Sequence, residues 1–304
     1  MAKNRDLLSI GHSALDYIIR VPEFPKANFS APINDMKTFN GGAAANVALV
    51  GANLGLKTSL VSAVGGDFKK SNYYEIMESL DVDTDSLIIV PGETSPTAFV
   101  LTDENDDQIS YFYWGAAKEF ASSKVPKNAI SNVQAIHLAT GDPHFNWKCS
   151  EEAKRQELLV SFDPGQDLGM YDTDKLRDVI TNTTILFGNH YEIERILESL
   201  EVDLDGLREI GPKIIVKTCG ANGSEIYSNN DKIKVDAIVR EAVDPTGAGD
   251  SYRAGFLSRF LNGESLEQSA KFASSVSSFI VEEQGCQTNM PTFDDAFDRM
   301  SEFY

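Results

Sequence analysis

Short apolar runs alternate with helical patterns along most of the chain, and this alternation limits the possible folds more than any other feature. The runs lie at Leu7–Gly11, Ala135–Leu138, Leu158–Phe162, Thr184–Phe187 and Ile214–Lys217. Compact apolar strands of this kind are typical of a parallel sheet that crossover helices cover on both faces. The pattern therefore predicts a single α/β domain over residues 1–304, with a mostly parallel sheet between two helical layers.

Helices are expected where apolar residues recur at a period near 3.6, and strands where they alternate. These patterns predict helices over Ala43–Leu54, Lys69–Leu80, Ala248–Leu261 and Ser265–Glu283, a strand over Ser59–Val64, and a late hairpin of Ser224–Tyr227 with Lys232–Ala237. Extended pieces near 17–21, 36–39, 97–102 and 108–113 do not fit the strand–helix alternation. The last two flank the acidic turn Asp103–Asp107, so they are expected to form another hairpin.

Charge and composition exclude several classes of partner. The 304 residues carry a formal net charge of −19, and nucleic-acid phosphates require a basic face. No apolar run reaches the roughly 18 residues that a transmembrane helix needs, and the N-terminus lacks a secretory pattern. The three cysteines have no metal-ligand spacing, which is typical of reduced thiols. We expect a cytoplasmic protein with no nucleic-acid or membrane partner.

A glycine-rich turn precedes the predicted helix at Ala248. The segment Asp244–Asp250 reads Asp-Pro-Thr-Gly-Ala-Gly-Asp. A helix that begins inside this turn presents unpaired N–H groups and a positive dipole end, which suit a phosphate. Asp250 has two interpretations: an acid favoured by the helix dipole, or a base that takes a proton from a hydroxyl attacking that phosphate.

A second glycine stretch lies near the N-terminus. Phe39–Asn46 reads Phe-Asn-Gly-Gly-Ala-Ala-Ala-Asn and opens the first predicted helix. Gly41 and Gly42 would let a ligand approach the backbone, and Asn46 lies one turn further on. Small residues that only pack a helix against a strand are the alternative interpretation.

Both stretches resemble the two signatures of the PfkB, or ribokinase-like, family of carbohydrate and nucleoside kinases, and in the same order. The resemblance implies a three-layer α/β/α sandwich with a small β-sheet lid, formed by segments near 15–40 and 96–114. It implies Asp250 as the catalytic base and an anion hole formed by the amides of Gly247, Ala248 and Gly249. It also implies ATP as the phosphoryl donor and Mg²⁺ as the cofactor.

The resemblance extends to the residues that would bind each substrate. Gly41, Gly42 and Asn46 would hold the acceptor, Asp16 would bind its sugar hydroxyls, and loop residue Asn28 would contact ribose or simply serve the loop. The residues expected at ATP are Gln166, Asn189, Thr218, Gly220, Gly223 and Asn289.

Two further interpretations concern charge near the phosphates. Asn189 and Glu192 resemble the family's Asn-x-x-Glu motif, which is linked to Mg²⁺; a first-turn helix acid is the alternative for Glu192. Arg253 would reach a phosphate or form a surface ion pair. The segment Asp163–Asp167 departs from the Asp-Pro-Asn-x-Arg of the family's sugar kinases, so no arginine contact carries over there.

The acceptor is the least constrained feature. Phrases such as Ala139–Pro143 and Gly285–Asn289 resemble archaeal nucleoside kinases of this family, which implies phosphorylation of the 5′-hydroxyl of inosine, guanosine, cytidine or adenosine. Gln108 would then bind a base, and a ring of Tyr111–Trp114 would stack on it, pack the lid, or join two lids in a homodimer. A sugar kinase for ribose or fructose is the alternative, followed by a nucleotide sensor without turnover.

Overall fold

The computed structural model describes residues 4–105, 107–228 and 231–304. Their strands are β1 (Arg5–Ile10), β2 (Ala14–Arg20), β3 (Asp35–Gly41), β4 (Thr58–Val61), β5 (Ala63–Gly65), β6 (Ile88–Val90), β7 (Thr97–Thr102), β8 (Gln108–Tyr113), β9 (Val133–Leu138), β10 (Leu159–Phe162), β11 (Ile185–Asn189), β12 (Ile214–Thr218), β13 (Ser224–Ser228) and β14 (Asp231–Val235). Their helices are α1 (Ala43–Asn53), α2 (Asn72–Ser79), α3 (Lys127–Ser131), α4 (Pro143–Arg155), α5 (Thr173–Asn182), α6 (His190–Leu200), α7 (Leu204–Ile210), α8 (Ala248–Phe260), α9 (Leu266–Ile280) and α10 (Phe293–Phe303). Within these ranges, every helix is too short or too polar to cross a membrane.

The large sheet has the strand order β14-β13-β12-β11-β10-β9-β1-β4. From β4 to β12 neighbouring strands are parallel, and β13 and β14 add an antiparallel edge. The predicted mostly parallel sheet and the late hairpin are therefore confirmed. Strand interiors are apolar because both faces of this sheet are covered.

The two faces of the sheet pack against different helices. Leu7 and Phe187 belong to a core that includes side chains of α1, α8, α9 and α10. Their neighbours Leu8 and Leu186 belong to a second core, with side chains of α4, α5, α6 and α7. Successive strand residues point to opposite faces, so this division produces the predicted three layers.

The four extended pieces form a separate small sheet with the order β3-β2-β7-β8. Asp16 of β2 pairs with Phe39 of β3 and Ala98 of β7, and Ala98 pairs with Phe112 of β8. Residues opposite one another in a sheet share a face, so these four side chains lie on one side. The predicted β7–β8 hairpin is confirmed; its acidic turn includes Asp106, which lies outside the described residues.

Two element predictions were wrong at particular residues. The helix predicted over Lys69–Leu80 begins at Asn72, because the Ser71 side chain accepts the Tyr74 N–H at 3.2 Å and caps it. The strand predicted over Ser59–Val64 divides into β4 and β5, and β5 leaves the large sheet to pair with β6. α10 was missed altogether.

Candidate active site

The turn before α8 requires glycine at position 247. Gly247 has φ +81°, and a Cβ added there would lie 2.7 Å from Cβ of Cys286. Asp244 fixes the turn, since its carboxylate accepts N–H groups of Thr246 at 2.9 Å and Gly285 at 3.1 Å. No described side chain caps α8, so its first turn offers N–H groups to an anion.

One of the predicted anion-hole amides already has a partner. The Ala248 N–H donates to the Pro245 carbonyl at 3.2 Å. The Gly247 and Gly249 N–H groups have no hydrogen-bond partner among the described residues. They therefore fit an incoming anion better than the Ala248 amide does.

Asp250 lies in the first turn of α8, opposite α1. Its Oδ2 accepts a hydrogen bond from Nδ2 of Asn46 at 2.8 Å, so the two glycine-rich signatures meet at this pair. Burial raises the pKa of Asp250 to about 6, against the lowering effect of the Arg253 guanidinium and the Asn46 amide. A carboxylate with this pKa is ionised at neutral pH and is a stronger base than an exposed aspartate.

Gly42 brings α1 against the end of β1. It has φ +92°, and an added Cβ would lie 2.6 Å from the His12 carbonyl and 2.7 Å from the Ala14 nitrogen. Only glycine fits such a close backbone approach without strain. The buried Asn46 side chain is thereby placed beside Asp250.

Asp16 lies on β2, and its carboxylate is close to the backbone of Gly41. Burial, followed by the charges of Asp250 and Asp244, raises the pKa of Asp16 to about 6. The Asp16 and Asp250 carboxylates are thus close enough for their charges to interact, and the Asn46 amide contacts Asp250. This arrangement can accept hydrogen bonds from several hydroxyl groups of one small molecule.

A cleft of about 280 Å³ adjoins the other side of the α8 turn. Its wall includes Thr218, Gly220 and Gly223, which the sequence placed at a nucleotide, together with Ala248 and Gly249. Further wall residues are Ala221, Ser224, Ala237, Ile238, Val239, Arg240, Ala242, Pro245, Tyr252, Ser274, Ser277, Ser278 and Val281. The glycine turn therefore lies between this cleft and Asp250.

Asn189 and Glu192 form the N-terminal cap of α6. The Asn189 side chain accepts the Glu192 N–H at 2.9 Å, and Oε2 of Glu192 accepts the Asn189 N–H at 2.7 Å. Burial raises the pKa of the Glu192 carboxyl, and the charge of Asp163 adds to this. Oε1 of Glu192 has no hydrogen-bond partner among the described residues, so it is available to water or a hydrated cation. The described ranges contain no group of three or more His, Cys, Asp or Glu residues arranged to hold a metal directly.

Arg253 is buried rather than at the surface. Its guanidinium is paired with the Asp163 carboxylate, and both side chains are almost fully enclosed. Arg253 therefore forms an ion pair, as the alternative interpretation expected, but the prediction that this pair lies at the surface was wrong. This cation lies behind the Gly249 turn, where it also lowers the pKa of Asp250.

Comparison with known proteins identifies the family. The family model for the pfkB family carbohydrate kinases matches residues 4–293. The chain belongs to the pfkB family. It is 56% identical to a nucleoside kinase of Methanothermobacter thermautotrophicus, over 99% of this chain and 97% of that protein.

Solved structures extend the comparison. The crystal structure of the Methanocaldococcus jannaschii nucleoside kinase, an archaeal member of the ribokinase family, superposes with a TM-score of 0.95 at 41% identity, over 99% of this chain and 100% of that one. A Burkholderia thailandensis nucleoside kinase in complex with inosine has the same fold, with a TM-score of 0.87 at 23% identity over 98% of each chain. The predicted family and the ribokinase-like fold are confirmed.

Two residues predicted to bind the acceptor, Gln108 and Asn28, have no contact with the pair Asn46–Asp250 among the described residues. Gln108 pairs with Thr102 at the end of the small sheet remote from Asp16. Asn28 is exposed in the loop between β2 and β3. These two substrate roles remain predictions with no contact among the described residues to support them.

Three residues predicted at ATP, Gln166, Asn189 and Asn289, do not line the cleft. The Asn289 amide donates to the Phe279 carbonyl at 2.7 Å. Gln166 is exposed, and Oδ2 of its neighbour Asp167 lies 3.3 Å from Nε2 of His12, beside the small sheet. Their roles at ATP also remain predictions.

Sequence reasoning missed side chains that hold the predicted ones in place. Gln287 donates to the Asn46 side chain, and Tyr73 donates to the Gly41 carbonyl. His12 is buried against the rings of Phe112 and Trp114, at centroid separations of 5.1 Å. Gln287 lies within the stretch Gly285–Asn289, but the contacts of all three side chains appear only in the folded chain.

Proposed function

We propose that this chain is an ATP-dependent kinase that transfers the γ-phosphoryl group to the 5′-hydroxyl of a nucleoside. The observation that carries the proposal is the Asn46–Asp250 contact, with a carboxylate of raised pKa beside a glycine turn that borders a cleft. The names of the two archaeal relatives favour a nucleoside over a free sugar as acceptor.

The acceptor would bind between the small sheet and α1. Asp16 would accept hydrogen bonds from the ribose hydroxyls, and Asn46 and the Gly42 backbone would orient the sugar. A hydroxyl donor would offset the repulsion between the Asp16 and Asp250 carboxylates. The small sheet would act as a lid that excludes water, within a single kinase domain of residues 1–304.

Phosphoryl transfer would then need one proton acceptor and one anion site. Asp250 takes the 5′-hydroxyl proton while that oxygen bonds to the γ-phosphorus, and the bond to the β–γ bridging oxygen breaks as ADP leaves. The Gly247 and Gly249 amides, aided by the α8 dipole, would stabilise negative charge on the transferring group. Charge stabilisation of this kind needs no movement of the protein.

The donor would occupy the cleft beside Thr218, Gly220 and Gly223. When bound, Mg²⁺ neutralises charge on the β- and γ-phosphates and usually keeps several waters. The free Oε1 of Glu192 fits such a hydrated ion, with Asn189 holding the carboxylate in place.

The outward face of the small sheet suggests a homodimer. Tyr17, Phe99 and Tyr111 share that face, and Tyr111 is 64% exposed. Exposed aromatic clusters favour protein contacts. Sedimentation at micromolar concentration should give a dimer, and Tyr111→Asp should shift it to monomer; a wild-type monomer would contradict this assembly.

The test is ADP release with ATP, Mg²⁺ and a panel of acceptors. Inosine, guanosine, cytidine and adenosine should each be compared with ribose and fructose, and the product's phosphate position read by ³¹P NMR. Turnover of at least one nucleoside with a 5′-phosphate product is expected. Better turnover of a free sugar would favour the sugar-kinase alternative, and ATP binding with no acceptor-dependent ADP would indicate a sensor.

A further inference from the structure

A line of hydrogen bonds runs from a backbone carbonyl of the small sheet to the carboxylate of Asp250. The Tyr73 hydroxyl donates to the Gly41 carbonyl at 2.8 Å, and Nε2 of Gln287 donates to the Tyr73 oxygen at 2.7 Å. Nε2 of Gln287 also donates to Oδ1 of Asn46 at 2.8 Å. Nδ2 of Asn46 completes the line at Asp250.

Each step of this line determines the direction of the next. A backbone carbonyl can only accept, so Tyr73 uses its one proton on Gly41 and presents lone pairs to Gln287. Burial raises the pKa of the Tyr73 hydroxyl far above its ordinary value, which keeps that proton in place. Gln287 must therefore turn its NH₂ group, and not its oxygen, towards Tyr73.

The same NH₂ group donates to Asn46, so the Asn46 amide must accept this bond with its oxygen. The Asn46 nitrogen is then directed at Asp250, which accepts as a carboxylate. If the Gln287 amide were reversed, its oxygen would meet two other oxygens, those of Tyr73 and Asn46. The present orientation is kept although Oε1 of Gln287 is buried with no hydrogen-bond partner among the described residues.

We propose that Gln287 is a positioning residue that fixes the orientation of the Asn46 amide and so favours the charged, proton-accepting form of Asp250. The inference rests on the proposed role of Asp250 as base. Without Gln287, the Asn46 amide can reverse and bring its oxygen to the carboxylate. A donor that favours the charge would be exchanged for a repulsive acceptor.

The network also joins parts of the chain that serve different substrates. Gln287 lies in the segment after α9 that contacts the α8 turn through Cys286, whereas Gly41 ends strand β3 of the small sheet. Asn46 and Gln287 are 241 residues apart in sequence. The acceptor side and the phosphate side therefore share one amide that sets the state of the base.

The test is the pH profile of kcat for Gln287→Met, which keeps the side-chain length but cannot donate. The acidic limb of wild type is expected near pH 6. Loss of a hydrogen bond to a charged group should move this limb upward by about one pH unit. The variant should then be roughly threefold slower than wild type at pH 6.5 and nearly equal at pH 8.5.

Further variants separate this effect from general damage. Gln284→Met, in the same segment, removes a side-chain oxygen that accepts from Nζ of Lys37, and it should leave the limb in place. Gln287→Glu adds negative charge near the base and should move the limb further than Gln287→Met. ¹³C NMR of the Asp250 carboxyl reads the same shift without turnover, and thermal unfolding shows whether each variant folds.

The outcomes also separate the two proposals. An equal fall of kcat at every pH, or an unmoved Asp250 titration in folded Gln287→Met, would overturn the positioning role of Gln287. A wild type with no acidic limb, or an active Asp250→Asn, would instead overturn the base assignment.

Discussion

Replacement of Asp250 by asparagine tests the proposed chemistry at its centre. The amide has the shape of the carboxylate, and its oxygen can still accept the Asn46 hydrogen bond that now spans 2.8 Å. It cannot take a proton. Loss of a general base costs about 10²- to 10⁴-fold in rate, so kcat should fall within that range.

The raised pKa gives the expected pH dependence. With a pKa of about 6, roughly 97% of Asp250 is ionised at pH 7.5, and below pH 6 the wild-type rate should fall about tenfold per unit. The variant has no such titrating group, so its residual rate should lose this acidic limb. Coupled detection of ADP at saturating nucleoside and ATP measures both, and the KM for ATP should change little.

The same substitution should stabilise the fold at pH 7.5. Burial raises the pKa of Asp250 from 3.8 to about 6, so its charge opposes folding by at most about 3 kcal/mol, less the screening from its partial exposure. Urea unfolding should give a higher free energy for Asp250→Asn than for wild type. Asp298→Asn, on the exposed face of α10, is the matched control and should change neither rate nor stability.

Two results would refute this reasoning. A variant that keeps more than about a tenth of wild-type kcat would remove Asp250 from the base role. A less stable variant would show that its charge is favourably held in the fold, contrary to the effect of burial.

Three further substitutions test the surroundings of the base. Asp16→Asn should raise the KM for the nucleoside at least about tenfold with little change for ATP, because the ribose hydroxyls lose a charged acceptor; equal KM values would exclude that contact. Gly42→Ala should destabilise the fold by about 1–3 kcal/mol in urea unfolding, since its added methyl meets the His12 carbonyl at positive φ, and wild-type stability would contradict the strain. Arg253→Met should cost about 3–5 kcal/mol by leaving the buried Asp163 charge unpaired, and Asp163→Asn in the same chain should restore much of it; no restoration would mean that Arg253 acts by packing alone.

The sheet could be predicted because strands that are buried on both faces consist of consecutive apolar residues. Apolar runs such as Leu158–Phe162 and Ile214–Lys217 coincide with β10 and β12. The boundary at Ser71 was missed because the amphipathic pattern continues through the preceding turn, while a single side-chain bond to Tyr74 decides where the helix starts. Hydrophobic periodicity reflects which residues are buried, whereas a helix boundary depends on the individual hydrogen bonds of its cap.

The residues of the candidate site also divide into those that a local sequence pattern predicts and those that it does not. Gly42, Asn46 and Asp250 belong to contiguous stretches whose spacing has a local mechanical reason, so they could be predicted and the structure brings them together. The contact between Gln287 and Tyr73 joins residues 214 apart in sequence, and no local pattern predicts it. Their importance arises only when two elements of the folded chain meet.

Protonation of Asp16 and Asp250 is expected to change activity and stability in opposite directions. Burial raises both pKa values from 3.8 to about 6, so between pH 4 and 6 the folded chain binds more protons than the unfolded chain. The contribution of these two groups to stability therefore grows as the pH falls through 6, while the proposed base becomes protonated and inactive over the same range. A site that keeps two carboxylates charged at neutral pH gives up stability there, and the Asn46 amide, held in orientation by Gln287, offsets part of that cost at Asp250.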